Sequence, residues 1–254
     1  MSFILLGILN SQAAGAVGGG VAGYAAGRNT ASGAVATVDK FAFNNETIST
    51  LATGLSGARQ RTTGFFDTAV AGYVAGGIPS GGGQTATVDK FAFPGDSRTT
   101  LATGLSSART AGAGMSDNGV AGYYAGGFTG SDVSTVDKFT FPSDSRTTLA
   151  TGLSSNRRES IGMSNPAVAG YAAGGFTGTA VDKFAFPSDT RSTLAATFAR
   201  NHGAGFANPA VAGYAAGGAF SNVIDKFNFA TDAKSTLAAV LSEAVDLTAG
   251  FQDA

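Results

Sequence analysis

The stretch VDKFAFPSDTRSTL, residues 181–194, occurs again with few changes at residues 88–101 and 136–149, and looser copies begin at Val38 and Ile224. The aspartate of the stretch falls at positions 39, 89, 137, 182 and 225, so consecutive copies are 50, 48, 45 and 43 residues apart. Repeats of this length are typical of β-propellers and solenoids, in which each copy packs against its neighbours. The sequence therefore predicts five copies of one structural unit.

Four short strands, a to d, fit each unit. In the unit around Asp137 they are predicted at residues 110–116, 120–127, 134–141 and 147–154. In strand c, Phe139 and Phe141 share a face with Asp137 and Lys138 points to the other face, which is the two-residue alternation of a strand. The PSDS segment that follows has the composition of a tight turn. Each unit thus matches one four-stranded antiparallel blade.

The distribution of small and large residues favours a closed propeller. Strands a and b consist mainly of Gly and Ala, which fit where blades converge on the axis, whereas the paired Phe residues of strand c can fill the wedge between blades. At the C-terminal end, AGFQD (residues 249–253) resembles the strand a segment AGMSD (residues 113–117). We therefore predict an all-β, five-bladed propeller over residues 18–254, closed by the C-terminal strand joining the first blade.

Composition excludes several functions. Of 254 residues only 13% are charged and the net charge is -1, so no basic surface for nucleic acid is expected. The chain has no Cys and one His, His202, which leaves neither thiolate nor multiple-histidine ligands for a metal. The Gly-rich segments lack the Lys of a phosphate-binding loop. We predict no metal and no cofactor.

The N-terminal residues 1–17 form an apolar arm in the prediction. Its apolar side chains are Phe3, Ile4, Leu5, Leu6, Ile8 and Leu9. The run is too short to cross a bilayer, so no membrane insertion is expected. Exposed apolar runs usually mark contact sites. The arm either packs on its own propeller or docks on another subunit.

The candidate contact surface lies where the b-to-c loops and the d-to-a junctions meet, here called the variable-loop face. From the repeated Tyr to the next repeated Asp the chain takes 15, 16, 14, 11 or 11 residues, a variation typical of loops. A repeated Arg lies at the junctions and Phe residues lie in the loops; the candidate binding residues are Arg59, Arg109, Arg157, Arg200, Phe128, Phe176 and Phe220. Alternatively, each Arg clamps a blade through backbone carbonyls or the repeated Asp, and Val245, which replaces the Arg in the last unit, indicates a differently built seam.

No catalytic residues are predicted. Asp182 and Lys183 are adjacent in a strand and point to opposite faces, so they cannot act together on one substrate; we expect the Asp to bridge blades and the Lys to face outward. The remaining acids are scattered through the sequence. A glycoside hydrolase, which needs two converging carboxylates, is the least favoured alternative. The protein is therefore expected not to be an enzyme.

The segments AGYAAGG, VDKFAF and LSSAR, in that order, resemble the kelch repeat, although the chain lacks the usual Trp. More narrowly they are similar to short kelch-like repeats of bacteriophage and marine viral structural or tail-associated proteins. This resemblance covers about residues 18–254 and implies a virion-associated structural or attachment protein, located on a virion or extracellular surface. Other subunits of a larger assembly would be its partners. A lectin-like propeller that binds host-surface glycans is the alternative.

Overall fold

The computed structural model describes Asn10–Ser11 and residues 22–246. This part contains five four-stranded antiparallel sheets, and within each sheet the strands pair in the order in which they occur in the chain. The inner strands contact one another in the order of the chain, as the blades of a propeller do. The predicted all-β, five-bladed propeller is confirmed.

Twenty strands build the blades, and we number them in chain order so that each blade holds strands a, b, c and d. Blade 1 consists of β1 (Asn10–Ser11), β2 (Ala22–Ala26), β3 (Val38–Ala42) and β4 (Thr47–Thr50). Blade 2 consists of β5 (Thr63–Asp67), β6 (Ala71–Ala75), β7 (Val88–Ala92) and β8 (Ser97–Thr100). Blade 3 consists of β9 (Ala113–Asp117), β10 (Ala121–Ala125), β11 (Val136–Thr140) and β12 (Ser145–Thr148). Blade 4 consists of β13 (Ile161–Asn165), β14 (Ala169–Ala173), β15 (Ala180–Ala185) and β16 (Thr190–Thr197). Blade 5 consists of β17 (Ala204–Asn208), β18 (Ala212–Ala216), β19 (Ser221–Asn228) and β20 (Lys234–Val245).

Two short ribbons lie outside the blades. Asn29–Thr30 pairs with Gly33–Ala34 inside the first b-to-c loop, and Arg59–Gln60 pairs with Ile78–Pro79 at the start of blade 2. Both ribbons involve b-to-c loops, so they belong to the variable-loop face.

Strand d differs from its prediction in blade 3. It ends at Thr148 rather than Ser154. Beyond it, Leu149 N–H donates to the Val136 carbonyl and Leu153 N–H to the Ser134 carbonyl, at 2.9 and 2.7 Å. Donors four residues apart thus bond to acceptors two residues apart, so the chain bulges away from the sheet. The apolar Leu149 and Leu153 anchor this bulge. From composition alone, the same segment looks like part of a strand.

Glycine is required where the inner strands approach one another. A Cβ built on Gly114 would lie 1.9 Å from the Gly64 carbonyl oxygen, and one on Gly162 would lie 2.0 Å from the Gly114 oxygen. The same relation, at 2.1 Å, joins Gly205 to Gly162. The predicted small residues of strand a therefore allow backbone-to-backbone packing around the axis.

Aromatic side chains fill the wedges between blades. In blades 1 to 4 the repeated Tyr stacks on the Phe that directly follows strand c of the next blade, as Tyr73 does on Phe141 with ring centroids 5.2 Å apart. The same pairing joins blade 1 to 2, blade 3 to 4 and blade 4 to 5. The first Phe of strand c is fully buried in blades 2 to 5, as Phe139 is, and only partly buried in blade 1. The structure thus places both Phe residues where the sequence predicts them.

The predicted closure of the ring is not shown. Residues 249–253 lie outside the described part of the chain, and the inner edge of β2 is paired at Gly23 and Ala22 with Asn10 and Ser11. This two-residue strand belongs to the predicted arm, whose apolar residues 3–9 also lie outside the described part. The short N-terminal strand β1 therefore occupies the place where the sequence predicts a C-terminal one.

Candidate functional site

The repeated arginines predicted as binding residues lie mostly inside the propeller. Arg59 pairs with Asp89, Arg109 with Asp137 and Arg157 with Asp182, at 2.8 to 2.9 Å between guanidinium nitrogen and carboxylate oxygen. All three arginines are at most 2% exposed. Arg200 pairs with Asp225 at 3.1 Å and its side chain is 15% exposed. A partner at the surface has no access to the first three guanidinium groups.

Each pair fastens a d-to-a junction to strand c of the following blade. Asp182 Oδ2 accepts from Arg157, from the Ser154 backbone N–H at 2.7 Å and from its hydroxyl at 2.9 Å, while Oδ1 accepts from Thr193. Burial acts to raise the pKa of Asp182, but these hydrogen bonds and the positive charge of Arg157 outweigh it and hold the pKa below its ordinary value. This geometry is that of the blade clamp, the second interpretation of the repeated Arg.

The seam between the last and first blades has its own version of the clamp. Val245 stands where the other units have Arg, and Arg28 from the first b-to-c loop supplies the cation that pairs with Asp39. The Gly218 N–H donates to the Val245 carbonyl at 3.0 Å, as Gly127 N–H does to that of Arg157. The backbone contact is therefore retained while the charge comes from a different loop.

The repeated lysine faces the next blade, so the expectation that it faces outward is wrong. Lys138 Nζ lies 2.7 Å from Asp189 in the c-to-d turn of the next blade, and the same carboxylate accepts the Tyr123 hydroxyl at 2.7 Å. Equivalent contacts join blade 1 to 2, blade 2 to 3 and blade 4 to 5. The charge that bridges blades belongs to this turn Asp, whereas the Asp of strand c binds within its own blade and the preceding junction.

A cluster of non-repeated residues, three of the four with polar side chains, lies over the propeller axis on the variable-loop face. Arg61, Ala111, Glu159 and His202 each follow the repeated Arg by two residues, and all have positive φ between 55° and 60°. Their backbones form a chain of three inter-blade hydrogen bonds, in which the N–H groups of Ala111, Glu159 and His202 each donate to the carbonyl of the preceding member. Arg61 of blade 2 reaches Glu159 of blade 4, at 3.5 Å, past the small Ala111 of blade 3. We call these four positions the axial ring.

Glu159 is the centre of this cluster. Its side chain is 4% exposed, its Oε1 lies 2.8 Å from His202 Nε2, and its Oε2 accepts from the Asn201 amide at 3.0 Å. Burial would raise the pKa of Glu159, but the bonds from His202 and Asn201 and the charge of Arg61 outweigh it, so the pKa lies below its ordinary value. His202 Nδ1 also approaches Asp246 at 3.5 Å. The only histidine of the chain is thus held between two carboxylates.

Beside the axial ring, an arginine is stacked between two of the predicted aromatic residues. The Arg158 guanidinium lies 4.8 Å from the Phe128 ring centroid and 4.1 Å from that of Phe176, and it pairs with Asp132 at 2.6 Å. Phe176 remains 58% exposed, and Phe220 in the next blade is 77% exposed. The structure therefore brings Phe128 and Phe176 together around Arg158. The rings of Phe176 and Phe220 remain largely exposed to solvent.

Sequence reasoning missed the axial ring and Arg158. The signal was present, because aligning the copies on the repeated Arg puts Arg61, Ala111, Glu159 and His202 in one column of changing residues. A position that varies beside a repeated residue indicates a role in its own blade rather than one common to all blades. Arg158 carries the same signal, because the residue that follows the repeated Arg also differs from copy to copy: Gln60, Thr110, Arg158 and Asn201.

Comparison with known proteins does not assign a family: neither a protein-family model nor a curated protein matches the sequence. Within residues 10–11 and 22–246, no group of three or more His, Asp or Glu side chains is placed to hold a metal ion. No helix in the same ranges is long and apolar enough to cross a membrane.

Replacing Glu159 with Gln is expected to lower the free energy of unfolding by about 2 kcal/mol near neutral pH, because bonds to a buried charged group are lost. Since the folded-state pKa of Glu159 is depressed, its contribution is complete above the unfolded pKa of about 4.3 and is lost as the pH falls through the folded value. The difference between wild type and variant should therefore stay constant down to about pH 5 and shrink as the pH is lowered further, measured by urea unfolding.

The exposed Glu243 offers a matched control. Glu243→Gln should leave the unfolding free energy within about 0.5 kcal/mol of wild type throughout the same pH range. A difference for Glu159→Gln that stays constant with pH would show that the carboxylate charge is not what binds His202.

Proposed function

We propose that this protein is a non-enzymatic structural or attachment propeller, associated with a virion as a tail, neck or capsid-surface component. It docks on other subunits through its N-terminal arm and presents the variable-loop face outward. The observation that carries the proposal is that repeated and non-repeated polar residues lie in different parts of the propeller. Most of those repeated from blade to blade bind inside the propeller, as the pairs of Arg109 and Arg157 do. Several that differ between blades gather on the variable-loop face: Arg61, Arg158, Glu159 and His202.

The repeated polar residues are engaged in structural contacts, which leaves few of their side chains available for catalysis. The strand c Asp binds the junction Arg, and the turn Asp binds Lys and Tyr of the neighbouring blade, as Asp137 and Asp189 do. Such contacts serve assembly of the ring and are needed in each blade. A rigid scaffold carrying a variable face suits attachment, since recognition usually resides in loops held by a stable framework.

The opposite end supports contact with an assembly. It is formed by the a-to-b turns, and each of four turns exposes one valine by 39% to 48%: Val70, Val120, Val168 and Val211. Repeated exposed apolar side chains mark protein contact sites. This end is accordingly the one that we orient toward neighbouring subunits, together with the apolar arm.

The viral part of the proposal is supported by the resemblance of AGYAAGG, VDKFAF and LSSAR to kelch-like repeats of phage and marine viral structural proteins. A chain with 13% charged residues and many Gly, Ala, Ser and Thr suits a stable particle surface. Placement on a virion or extracellular surface follows from this resemblance.

Removing residues 1–9 is expected to abolish incorporation into the assembly while the propeller stays folded. The truncation retains Asn10–Ser11, so the described pairing with β2 is kept. Light scattering of the native particle and of the purified truncated chain measures the result. A truncated chain that still enters a large assembly would contradict docking through the arm, and so would a full-length chain that remains a 25.1 kDa monomer in its native source.

A lectin-like function is the second candidate, favoured by the open aromatic rings of Phe176 and Phe220 on the variable-loop face. Exposed aromatic faces offer apolar platforms against which the C–H groups of a sugar ring can pack. Beside Phe176, the Thr177 hydroxyl donates to Asp132 at 2.8 Å and supplies polar groups for sugar hydroxyls.

If glycans bind here, Phe176→Ser is expected to reduce binding on a glycan array at least about tenfold, as loss of about 1.4 kcal/mol requires. The unfolding temperature should change little because the ring is mostly exposed. Ile48→Ser, at a side chain 72% exposed on the outer strand of blade 1, is the matched control and should leave binding intact. Equal binding by both variants would remove Phe176 from the proposed site.

A further inference from the structure

The turn that displays Phe220 has a strained backbone. It joins β18 to β19 and is closed by a hydrogen bond from the Ser221 N–H to the Gly218 carbonyl at 3.1 Å. Its two central residues, Ala219 and Phe220, have φ of 52° and 56°, a conformation that ordinarily takes Gly, Asn or Asp. A bulky residue keeps a left-handed conformation only where surrounding contacts hold it. The ring of Phe220 is 77% exposed, so the holding contact lies elsewhere in the turn.

A carboxylate holds this turn, where another blade uses the backbone. In blade 4, whose b-to-c loop has the same length, the Phe176 N–H donates to the Arg158 carbonyl at 2.9 Å. The corresponding N–H of blade 5 belongs to Ala219 and donates to Asp246 Oδ1 at 3.0 Å. A backbone carbonyl stays in place with its strand, whereas the position of a carboxylate depends on the charges beside it. The turn is therefore sensitive to the surroundings of Asp246.

His202 is the titratable neighbour of Asp246. Its Nδ1 lies 3.5 Å from Asp246 Oδ1 and 3.2 Å from the Asn201 amide nitrogen, while its Nε2 lies 2.8 Å from Glu159 Oε1. A neutral imidazole that donates from Nε2 to Glu159 has a bare Nδ1, which accepts from the Asn201 amide. An imidazolium donates from both nitrogens, and the carboxylate within reach of Nδ1 is then Asp246. Gaining a proton thus exchanges the partner of Nδ1.

The other charges around His202 leave this exchange to a single proton. Burial raises the pKa of Glu159 less than its hydrogen bonds lower it, so this carboxylate stays ionised above about pH 5. Arg61 and Arg158 approach the cluster at Glu159 Oε1, at 3.5 Å each. Among residues 22–246 no other charged group lies within ion-pair distance of His202 or Asp246. The chain has one histidine, the side chain that ordinarily titrates between about pH 5 and 8.

We propose that protonation of His202 fixes the Phe220 turn, so that the variable-loop face holds this aromatic ring in place in mildly acidic solution and releases it at higher pH. The proton on Nδ1 binds Asp246 Oδ1 and keeps that oxygen beside the Ala219 N–H. Loss of the proton leaves the Nδ1 lone pair facing the carboxylate, and the repulsion between them lets the turn relax from its left-handed conformation. A single histidine thereby acts as a pH switch.

Amide hydrogen exchange followed by nuclear magnetic resonance tests the switch in the full-length, unmodified chain. The protection factor, corrected for the intrinsic pH dependence of exchange, reports how often each hydrogen bond opens. That of the Ala219 N–H should fall about threefold or more between about pH 5.5 and 8, because the carboxylate that accepts it loses a charged partner. That of the Phe176 N–H, whose acceptor is a backbone carbonyl, should stay constant in the same samples.

Two variants remove the switch by different routes. His202→Gln keeps an amide donor toward Glu159 but gains no proton, and Asp246→Asn keeps an oxygen for the Ala219 N–H but has no charge. Both should make the Ala219 protection factor independent of pH, whereas Glu243→Gln, at an exposed position of β20, should retain the dependence. A constant Ala219 protection factor in the unmodified chain, or a pH dependence that persists in His202→Gln, would overturn the proposal.

The consequence for recognition rests on the proposed function, in its glycan-binding form. If Phe220 contacts a sugar, binding on a glycan array should be stronger at about pH 5.5 than at about pH 8, and His202→Gln should remove the difference. An Ala219 protection factor that changes with pH, together with glycan binding that does not, would confirm the switch and remove Phe220 from the sugar site.

Discussion

Replacing Arg109 with alanine is expected to lower the free energy of unfolding by about 3 to 5 kcal/mol, a large part of the stability of an ordinary domain. The Arg109 and Asp137 side chains are both fully buried, and Arg109 Nη2 lies 2.8 Å from Asp137 Oδ2. Removing the guanidinium leaves the Asp137 carboxylate in the interior without its cation, which costs far more than the loss of a surface pair. Chemical unfolding followed by circular dichroism measures the change.

Arg146 provides a control that touches the same carboxylate. It approaches Asp137 Oδ1 at 3.7 Å, but its side chain is 25% exposed and water screens the interaction. Arg146→Ala should therefore cost less than about 1 kcal/mol. Equal losses for the two variants would show that burial does not set the strength of the clamp.

A double variant separates the loss of the Arg109–Asp137 ion pair from the cost of leaving the Asp137 carboxylate unpaired. In Arg109→Ala with Asp137→Ala no carboxylate remains unpaired, although the Ser106 N–H and hydroxyl lose their acceptor. The double variant should be less destabilised than the sum of the two single variants, by about 1 kcal/mol or more. Strict additivity would mean that Arg109 and Asp137 stabilise the blade independently.

Most of the fold can be predicted from the sequence repeats. The period gives the number of blades, the two-residue alternation around Phe139 and Phe141 gives the buried face of strand c, and the Gly and Ala content identifies the inner strands. These features act within one unit or between identical units, so one sequence suffices to find them. The repeated Arg and Asp could also be found, but their burial could not, because strand direction alone does not tell whether a charged group lies inside.

The contacts between blades were harder to predict. Lys138 and Asp189 are 51 residues apart, and their pairing depends on how far one blade is rotated against the next. The turn Asp nevertheless recurs with Lys and Tyr in blade after blade, which is the trace of the contact in the sequence. The axial ring is less accessible still, since Arg61 and Glu159 are 98 residues apart and meet only because Ala111 leaves space between them.

The inner strand of blade 1 marks the limit of what the repeats predict. Residues 249–253 look like strand a because they continue the pattern, and Asn10–Ser11 has no counterpart in it. A short segment can nonetheless pair with β2, because backbone hydrogen bonds require no particular side chains. Packing between neighbouring inner strands adds a requirement that pairing lacks, because glycine allows strand a to approach the strand beside it.

The strength of this requirement can be measured inside the described ring. Gly162→Ala is expected to lower the free energy of unfolding by about 3 kcal/mol or more, because the new Cβ would lie 2.0 Å from the Gly114 carbonyl oxygen and neither backbone can move without disturbing a sheet. Both atoms in the clash belong to rigid inner strands, β13 and β9. Relief by side-chain rotation is therefore impossible.

Gly57 is the matched control for this substitution. It has no atom within 4 Å of a built Cβ, and Ser107 and Ser155 occupy the equivalent positions in other junctions. Gly57→Ala should stay within about 0.5 kcal/mol of wild type. If Gly162→Ala proved equally mild, the inner strands would have room to separate, and the requirement for glycine at this position would be refuted.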